Sequence, residues 1–246
     1  MLSRQCFVGA GLVFNDQGDQ MYSQLGQDLL VIDILNGKRG GYFLDTGASD
    51  GVSSNNTLLL ERYYDWTGLC IEPNRSFFED LIRNRSCTCY NSCLYDRLDR
   101  LGFLEDAGML GGVIEDFAEG HLDWALEVKG IQREPNGDPP IVMKETTTLS
   151  HVLQAASAPQ VIDYWSLDVE GAELRLLKSF PFDAFNVHII TVEHNNRPAR
   201  GTIKEFLEGM GYELFTSLNI DDCYIFKDAF PSIHALSRAW GRRRLS

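Results

Sequence analysis

Ten residues, Tyr42-Phe-Leu-Asp-Thr-Gly-Ala-Ser-Asp-Gly51, restrict the fold more than any other stretch of the chain. An apolar run that stops at an acid and then turns glycine-rich is how a buried parallel strand ends and a tight turn into a helix begins. Gly47 and Gly51 lack a Cβ, so backbone N–H groups there can approach a ligand closely. The stretch predicts a βα turn with a nucleotide-type cofactor beside it.

The pattern then repeats. A helical stripe over Tyr22 to Leu35, with Ser23 as its N-cap, leads into the first strand at 42–46. Ser53-Ser-Asn-Asn56 caps a helix through Leu58 to Tyr64, and Thr67-Gly-Leu-Cys-Ile-Glu72 is a second apolar run closed by an acid. Ser76-x-x-Glu79 reads as a capping box for a helix after Pro73, and Cys87 to Cys93 as a third strand. Strand and helix in alternation at this spacing give a half-Rossmann unit, parallel because each helix must cross back over the sheet. The rhythm resumes at Val161 to Glu170, a fourth strand, then a helix over Ala172 to Ser179, a fifth strand at Asn186 to Asn195 and a helix over Arg200 to Met210. Tyr212–Thr216 and Cys223–Phe226 are close enough to be an antiparallel hairpin. Seven strands ending in such a hairpin match the Rossmann-like α/β sheet of class I methyltransferases, mostly parallel with helices on both faces.

Residues 94–145 break the period with seven glycines and Pro135-Asn-Gly-Asp-Pro-Pro140. A loop-rich insertion of this size predicts a lid or substrate-recognition element within one domain spanning 1–246. Residues 1–40 are the N-terminal lead-in and helix, of which 1–20 read as loosely ordered or as a short added strand.

Lys+Arg 22 against Asp+Glu 35 gives a net charge of −13, which repels phosphate backbones and argues against a nucleic-acid partner. The basic tail Arg238 to Arg244 reads as a solvated end. No apolar run reaches the length of a membrane span, and no convincing signal-peptide cleavage site is present, so the expected location is cytoplasmic. Cys87-x-Cys89-x3-Cys93 lacks the paired spacing of a structural zinc site.

Asp45, Glu72, Asp168 and Glu193 each stand at the carboxyl end of a predicted strand, where open α/β sheets bind ligands. Four such acids converge on one crevice. Glu72, about twenty residues beyond Gly51, suits a pair of ribose hydroxyls. Asp45 ahead of Gly47 would repel a pyrophosphate and attract a cationic ligand, which favours S-adenosylmethionine over NAD. A nicotinamide-dependent oxidoreductase and a non-catalytic binding module with the same fold are the alternatives.

The chain resembles the FkbM-type S-adenosylmethionine-dependent methyltransferases. The resemblance rests on Tyr22-Ser-Gln-Leu-Gly-Gln-Asp28, Gly41 to Gly51, Asn56-Thr57, Gly68-Leu-Cys-Ile-Glu-Pro-Asn74, Ser166-Leu-Asp-Val-Glu-Gly-Ala-Glu173 and Val192-Glu-His-Asn195. It implies O-methylation of a hydroxyl on a sugar or small secondary metabolite. Carried over residue by residue, it assigns the cofactor to Gln24, Asp45, Gly47, Ala48, Asp50, Gly51, Glu72, Pro73, Asn74, Asn91, Ser92 and Asp168. Gln27 and Asp28 join Gln24 as residues that could close over it. Asp168, Glu193 and His194 are the catalytic candidates. A likeness to catechol-type O-methyltransferases adds a Mg²⁺ or Mn²⁺ site at Asp168, Glu193 and Asn195. The expected partner is a small-molecule or glycan acceptor, with homo-oligomerisation left open.

Overall fold

The computed structural model describes residues 13–14 and 20–231. The rest of the lead-in, the basic tail and Trp240 lie outside the described residues. Strands β1 (Tyr42–Thr46), β2 (Thr67–Ile71), β3 (Thr88–Tyr90), β4 (Val161–Leu167), β5 (Asn186–Glu193), β6 (Tyr212–Leu218) and β7 (Asp221–Phe226) form one sheet. Its order is β3-β2-β1-β4-β5-β7-β6. Strand β7 runs antiparallel to both β5 and β6, and the β3-β2-β1-β4-β5 pairings are parallel. This is the class I methyltransferase sheet.

Both faces of the sheet are covered, which is why its strands read as nearly unbroken apolar runs. Because successive side chains alternate, Phe43, Tyr164 and Ile189 enter one core, and Leu44, Trp165 and Ile190 the other. The first core is closed by α1 (Gln27–Ile34), α2 (Leu58–Tyr64) and α3 (Arg75–Asn84), through Leu30, Leu60 and Leu81. After α4 (His121–Lys129), the second core is closed by α5 (Leu149–Ala155), α6 (Glu173–Ser179) and α7 (Ala199–Gly209). None of the helices among the described residues is long and apolar enough to cross a membrane.

Two helix starts differ from the sequence expectation. Helix α1 begins at Gln27 after a left-handed Gly26, not at Ser23. Buried Asp28 gathers the backbone N–H of Tyr22 and the hydroxyl of Ser23, at 2.8 and 2.5 Å, and so folds the preceding residues into a loop. Helix α3 is capped by Asn74, whose side chain accepts from the N–H groups of Ser76 and Phe77, so the capping box at Ser76 does not form.

The insertion is more ordered than its sequence suggests. Cys93–Leu94, Arg100–Phe103 and Val142–Thr147 build a small sheet, the last of them running past residue 145. Helix α4 and two short 3₁₀ turns, Gly108–Leu110 and Ile114–Asp116, complete it. Leu104, Ala107, Ala125 and Leu126 form its own core. In the lead-in, Val13–Phe14 pairs with Gln20–Met21.

Candidate functional site

The strand order reverses between β1 and β4, and at such a switch point the two loops part to leave a crevice. Here they are pinned at their roots. The N–H of Gly47 donates to Ile71 O at 2.9 Å, and that of Asp168 to Thr46 O at 3.1 Å. Gly47 has φ +86°, and a Cβ there would overlap the Asp168 carbonyl oxygen. Only glycine lets the two loops approach this closely.

The crevice has two lobes that share Gly47, Ser49, Met109 and Asp168. The apolar lobe lies between Ile71, Pro73 and Phe77 on one side and Phe103, Gly112 and Val113 of the insertion on the other, with Glu72 and Ser92 on its wall. The polar lobe is walled by Gln24, Gln27, Asn56, Ser166, Asp45 and Asp221. Glu72 is buried and accepts from the N–H groups of Ser49 and Asn74 at 2.8 and 2.7 Å. Burial pushes its pKa up to about 7 against those two donors.

Beneath the polar lobe, Asp45 is enclosed by partners. Asn55 Nδ2 donates to it at 3.0 Å, Thr57 Oγ1 at 2.7 Å, and the Arg85 guanidinium lies 4.0 Å away. Arg85 also donates to Asn55 Oδ1, Thr57 Oγ1 and Glu61, so Asp45 belongs to a buried network with its own cation. Its sequence role as the free acid that attracts a sulfonium is therefore corrected. Burial still raises its pKa, opposed first by Arg85.

A second group of acids lies at the ends of β4 and β5. One carboxylate oxygen each from Asp168, Glu170 and Glu193 falls within 4.8 Å of the others. Burial and the neighbouring carboxylates push Asp168 well above the ordinary range and Glu193 up to about 8. Burial likewise takes Glu170 to about 7, although Arg197 pairs with it at 3.2 Å. Glu170 and Asn195 hold left-handed φ angles of 55° and 44°. Glu173 instead ties the β4–α6 turn, accepting from the N–H groups of Val169 and Gly171.

Several assigned residues turn elsewhere. His194 lies just past the end of β5, and its side chain turns away from the carboxylate group. Its Nδ1 accepts from Asn196 N at 3.0 Å and its Nε2 lies 3.6 Å from Asp222, which Arg200 also holds. Burial lowers its pKa, and it lines neither lobe. Asn195 donates to Glu193 Oε2 at 2.5 Å, orienting that acid, and Glu170 adds a carboxylate beside Asp168 and Glu193. Asp50 is consumed by a local turn with Val52 and Ser53. Gly51 packs on Leu81 and Arg85. Asn74 caps α3, and Asn91 clamps the carbonyls of Glu72 and Pro73 at 2.8 and 3.2 Å. None of these four lines a lobe. Asp28 serves its own loop, while Gln24, Ala48, Pro73 and Ser92 line the crevice.

Sequence reasoning missed Asp221, Arg85 and Met109. Asp221 had a signal. An antiparallel strand begins at the edge where parallel ones end, so the first residue of β7 joins the acids, where Gln27 Nε2 donates to it. Arg85 and Met109 reach the site only through the fold.

A sheet of this order with a two-lobed crevice at its switch point defines a class I S-adenosylmethionine-dependent methyltransferase. The chain matches the model of the methyltransferase FkbM domain over residues 45–214, and it belongs to that family. Among solved structures it is similar to a methyltransferase from Pyrococcus furiosus, with 15% identity, TM-score 0.41 and 89% of each chain covered. It is also similar to the N-terminal domain of human METTL16 in complex with SAH, with 13% identity, TM-score 0.43, and 87% of this chain and 76% of that one covered. A comparison with curated proteins gave no match.

The crevice suits S-adenosylmethionine. Its apolar lobe carries Glu72 on one wall and Asp168 and Glu170 on another, its polar lobe is rich in amide, hydroxyl and carboxylate groups, and a Cβ at Gly47 would fill the junction. The three clustered carboxylates are oxygen donors of the kind a hard divalent cation takes.

Proposed function

We propose that the chain methylates a hydroxyl of a sugar or small secondary metabolite. The observation behind this reading is the carboxylate group Asp168–Glu170–Glu193, of which Asp168 lines both lobes and Glu170 the apolar one, with pKa values raised by burial. S-Adenosylmethionine supplies a methyl group already activated by a sulfonium. The protein then has to hold it, align the acceptor and take up a proton. Glu72 accepts the ribose hydroxyls, the apolar lobe takes the base, and the polar lobe takes the amino-acid end. Asp168 receives the hydroxyl proton, and Glu193, oriented by Asn195, keeps that carboxylate basic by repulsion.

The acceptor side is the insertion. Met109 lines both lobes, and beyond Gly112 a row of rings runs from Phe117 to His121 at 4.3 Å and on to Trp124 at 5.5 Å. Flat aromatic surface beside a polar rim suits a sugar ring or a planar metabolite. The net charge of −13 weighs against a nucleic-acid acceptor.

A second reading has its own observation. Three acids within 4.8 Å with Arg197 as the nearest cation favour either a retained proton or a divalent ion. In the latter case Asp168, Glu170 and Glu193 would hold Mg²⁺ or Mn²⁺, which would acidify the acceptor hydroxyl.

Labelled S-adenosylmethionine incubated with panels of hydroxylated acceptors and with RNA tests the reading, with and without EDTA. Transfer to hydroxyls that survives EDTA supports Asp168 as base; loss restored by Mn²⁺ supports the ion. Transfer to RNA alone overturns the acceptor class. Calorimetry with S-adenosylhomocysteine should show Glu72→Gln binding about tenfold more weakly. Unchanged affinity would remove Glu72 from the site.

A further inference from the structure

Three cysteines that play no part in the site share one face of the sheet beside its network. Cys70 on β2 is fully buried, and Cys87 and Cys89 are half-buried against the same core. Cys70 and Cys89 are register partners, and Cys87, two residues earlier, faces the same way. The sulfurs of Cys70 and Cys87 lie 3.5 Å apart. A disulfide would bring them to about 2.05 Å, an approach of roughly 1.5 Å.

That approach acts on the cofactor site through three consecutive residues. Cys87 follows Ser86, which donates through both its N–H and its hydroxyl to Glu61 Oε1 at 2.7 Å. Ser86 follows Arg85, whose guanidinium joins Glu61 to Asn55, Thr57 and Asp45 behind the glycine turn. Arg85 donates to Asn55 at 3.0 Å and to Thr57 at 2.9 Å, so a pull on residue 87 is passed to these bonds.

We propose that Cys70 and Cys87 form a reversible disulfide under a peroxide oxidant, and that the bond loosens the Arg85 network and weakens cofactor binding. The half-buried sulfur of Cys87 takes the first step, its proton passing to the thiolate of the neighbouring Cys89, the most acidic thiol of the three. It displaces one oxygen of the peroxide, giving a sulfenic acid and a hydroxide that leaves as water with the thiol proton. The sulfur of Cys70 then displaces the sulfenic oxygen, which leaves as a second water with the Cys70 proton. Two thiols and one hydrogen peroxide become one disulfide and two waters. A dithiol reductant reverses the step by exchange. The inference about binding rests on the crevice being the S-adenosylmethionine site; the inference about the bond does not.

The test uses the full chain treated with hydrogen peroxide, alkylated and mapped by peptide mass. It is paired with amide hydrogen exchange over residues 45–57 and with S-adenosylhomocysteine binding before and after dithiothreitol. The expected result is a Cys70–Cys87 linkage, faster exchange over 45–57 and a Kd about tenfold higher, all reversed by reductant. Cys87→Ser should be insensitive to peroxide, whereas Cys223→Ser, in a buried cysteine away from the pair, should respond like the native chain. Should Cys87→Ser fail to fold, Cys70→Ala serves the same purpose. No linkage, a Cys87–Cys89 linkage instead, or a Cys70–Cys87 linkage with unchanged exchange overturns the proposal. If the reduced native chain binds no S-adenosylhomocysteine, the cofactor reading falls, and the exchange arm still decides for or against the thiol pair.

Discussion

Asp45 and Asp168 end neighbouring strands, adjoin the same polar lobe and look alike in sequence, but their surroundings separate them. Asp45 is met by an amide, a hydroxyl and a guanidinium. No hydrogen-bond donor among the described residues reaches the Asp168 side chain, and its nearest charged neighbours are two more acids. A buried acid met by donors and a cation holds a fold together. One left among like charges is costly to the fold, and that cost marks it for chemistry.

The largest expected effect separates the two on turnover. Asp168→Asn should cut methyl transfer by about 10³-fold while leaving S-adenosylhomocysteine affinity within a few-fold. It should also leave the protein as stable as before, or more so near pH 8, because one repelling charge is gone. Urea denaturation and a transfer assay on the same preparation check both halves. A strong loss of stability in this variant would break the distinction.

Asp45→Ala should do the reverse. Removing it leaves Arg85 with Glu61 as its remaining carboxylate partner and takes away the acceptor of the Asn55 and Thr57 donors, at a cost of roughly 3 kcal/mol. A fully stable Asp45→Ala protein would mean that Glu61 alone satisfies the guanidinium.

The pH dependence sharpens the comparison on the acid side. Glu193 has its folded pKa raised to about 8 from an ordinary 4.5, so between those values the folded protein binds more protons than the unfolded chain. Stability from this group is present in full at low pH and is lost as pH rises toward 8. Groups shifted the other way, such as Asp163 beside His188 and Lys38, contribute above the ordinary carboxylate range and are complete well below neutrality. The ligand-free protein should therefore melt lower as pH climbs from about 6 to 8. Turnover should rise over the same interval, because the base must be ionised. Parallel rather than opposed trends would detach the carboxylates from catalysis.

The smallest effect is expected at His194. His194→Asn should change turnover by less than about threefold and cost about 1 kcal/mol, through its contacts with Asn196 and Asp222. A large loss of turnover with intact folding would return this residue to the catalytic group.

The first strand and its turn, the acids at strand ends and the closing hairpin were readable because each depends on local rules. Apolar runs, glycine turns and strand alternation are properties of consecutive residues. His194 lies just past the end of β5, where that alternation no longer sets the direction of its side chain. The insertion was harder to read. Its strands are short, and Val142 and Met143 stay half exposed at a sheet with little to bury them, so no period develops.

Sequence alone determined that a chain of this pattern makes a class I methyltransferase sheet with acids gathered along one edge, since parallel strands and crossover helices admit few other arrangements. Only tertiary structure decided which acids are free. That depends on Arg85 reaching Asp45 from the end of a helix, on Asp221 arriving from an antiparallel strand and on Glu170 turning toward Glu193. Charge compensation acts across space between residues far apart in the chain, and no local pattern records it.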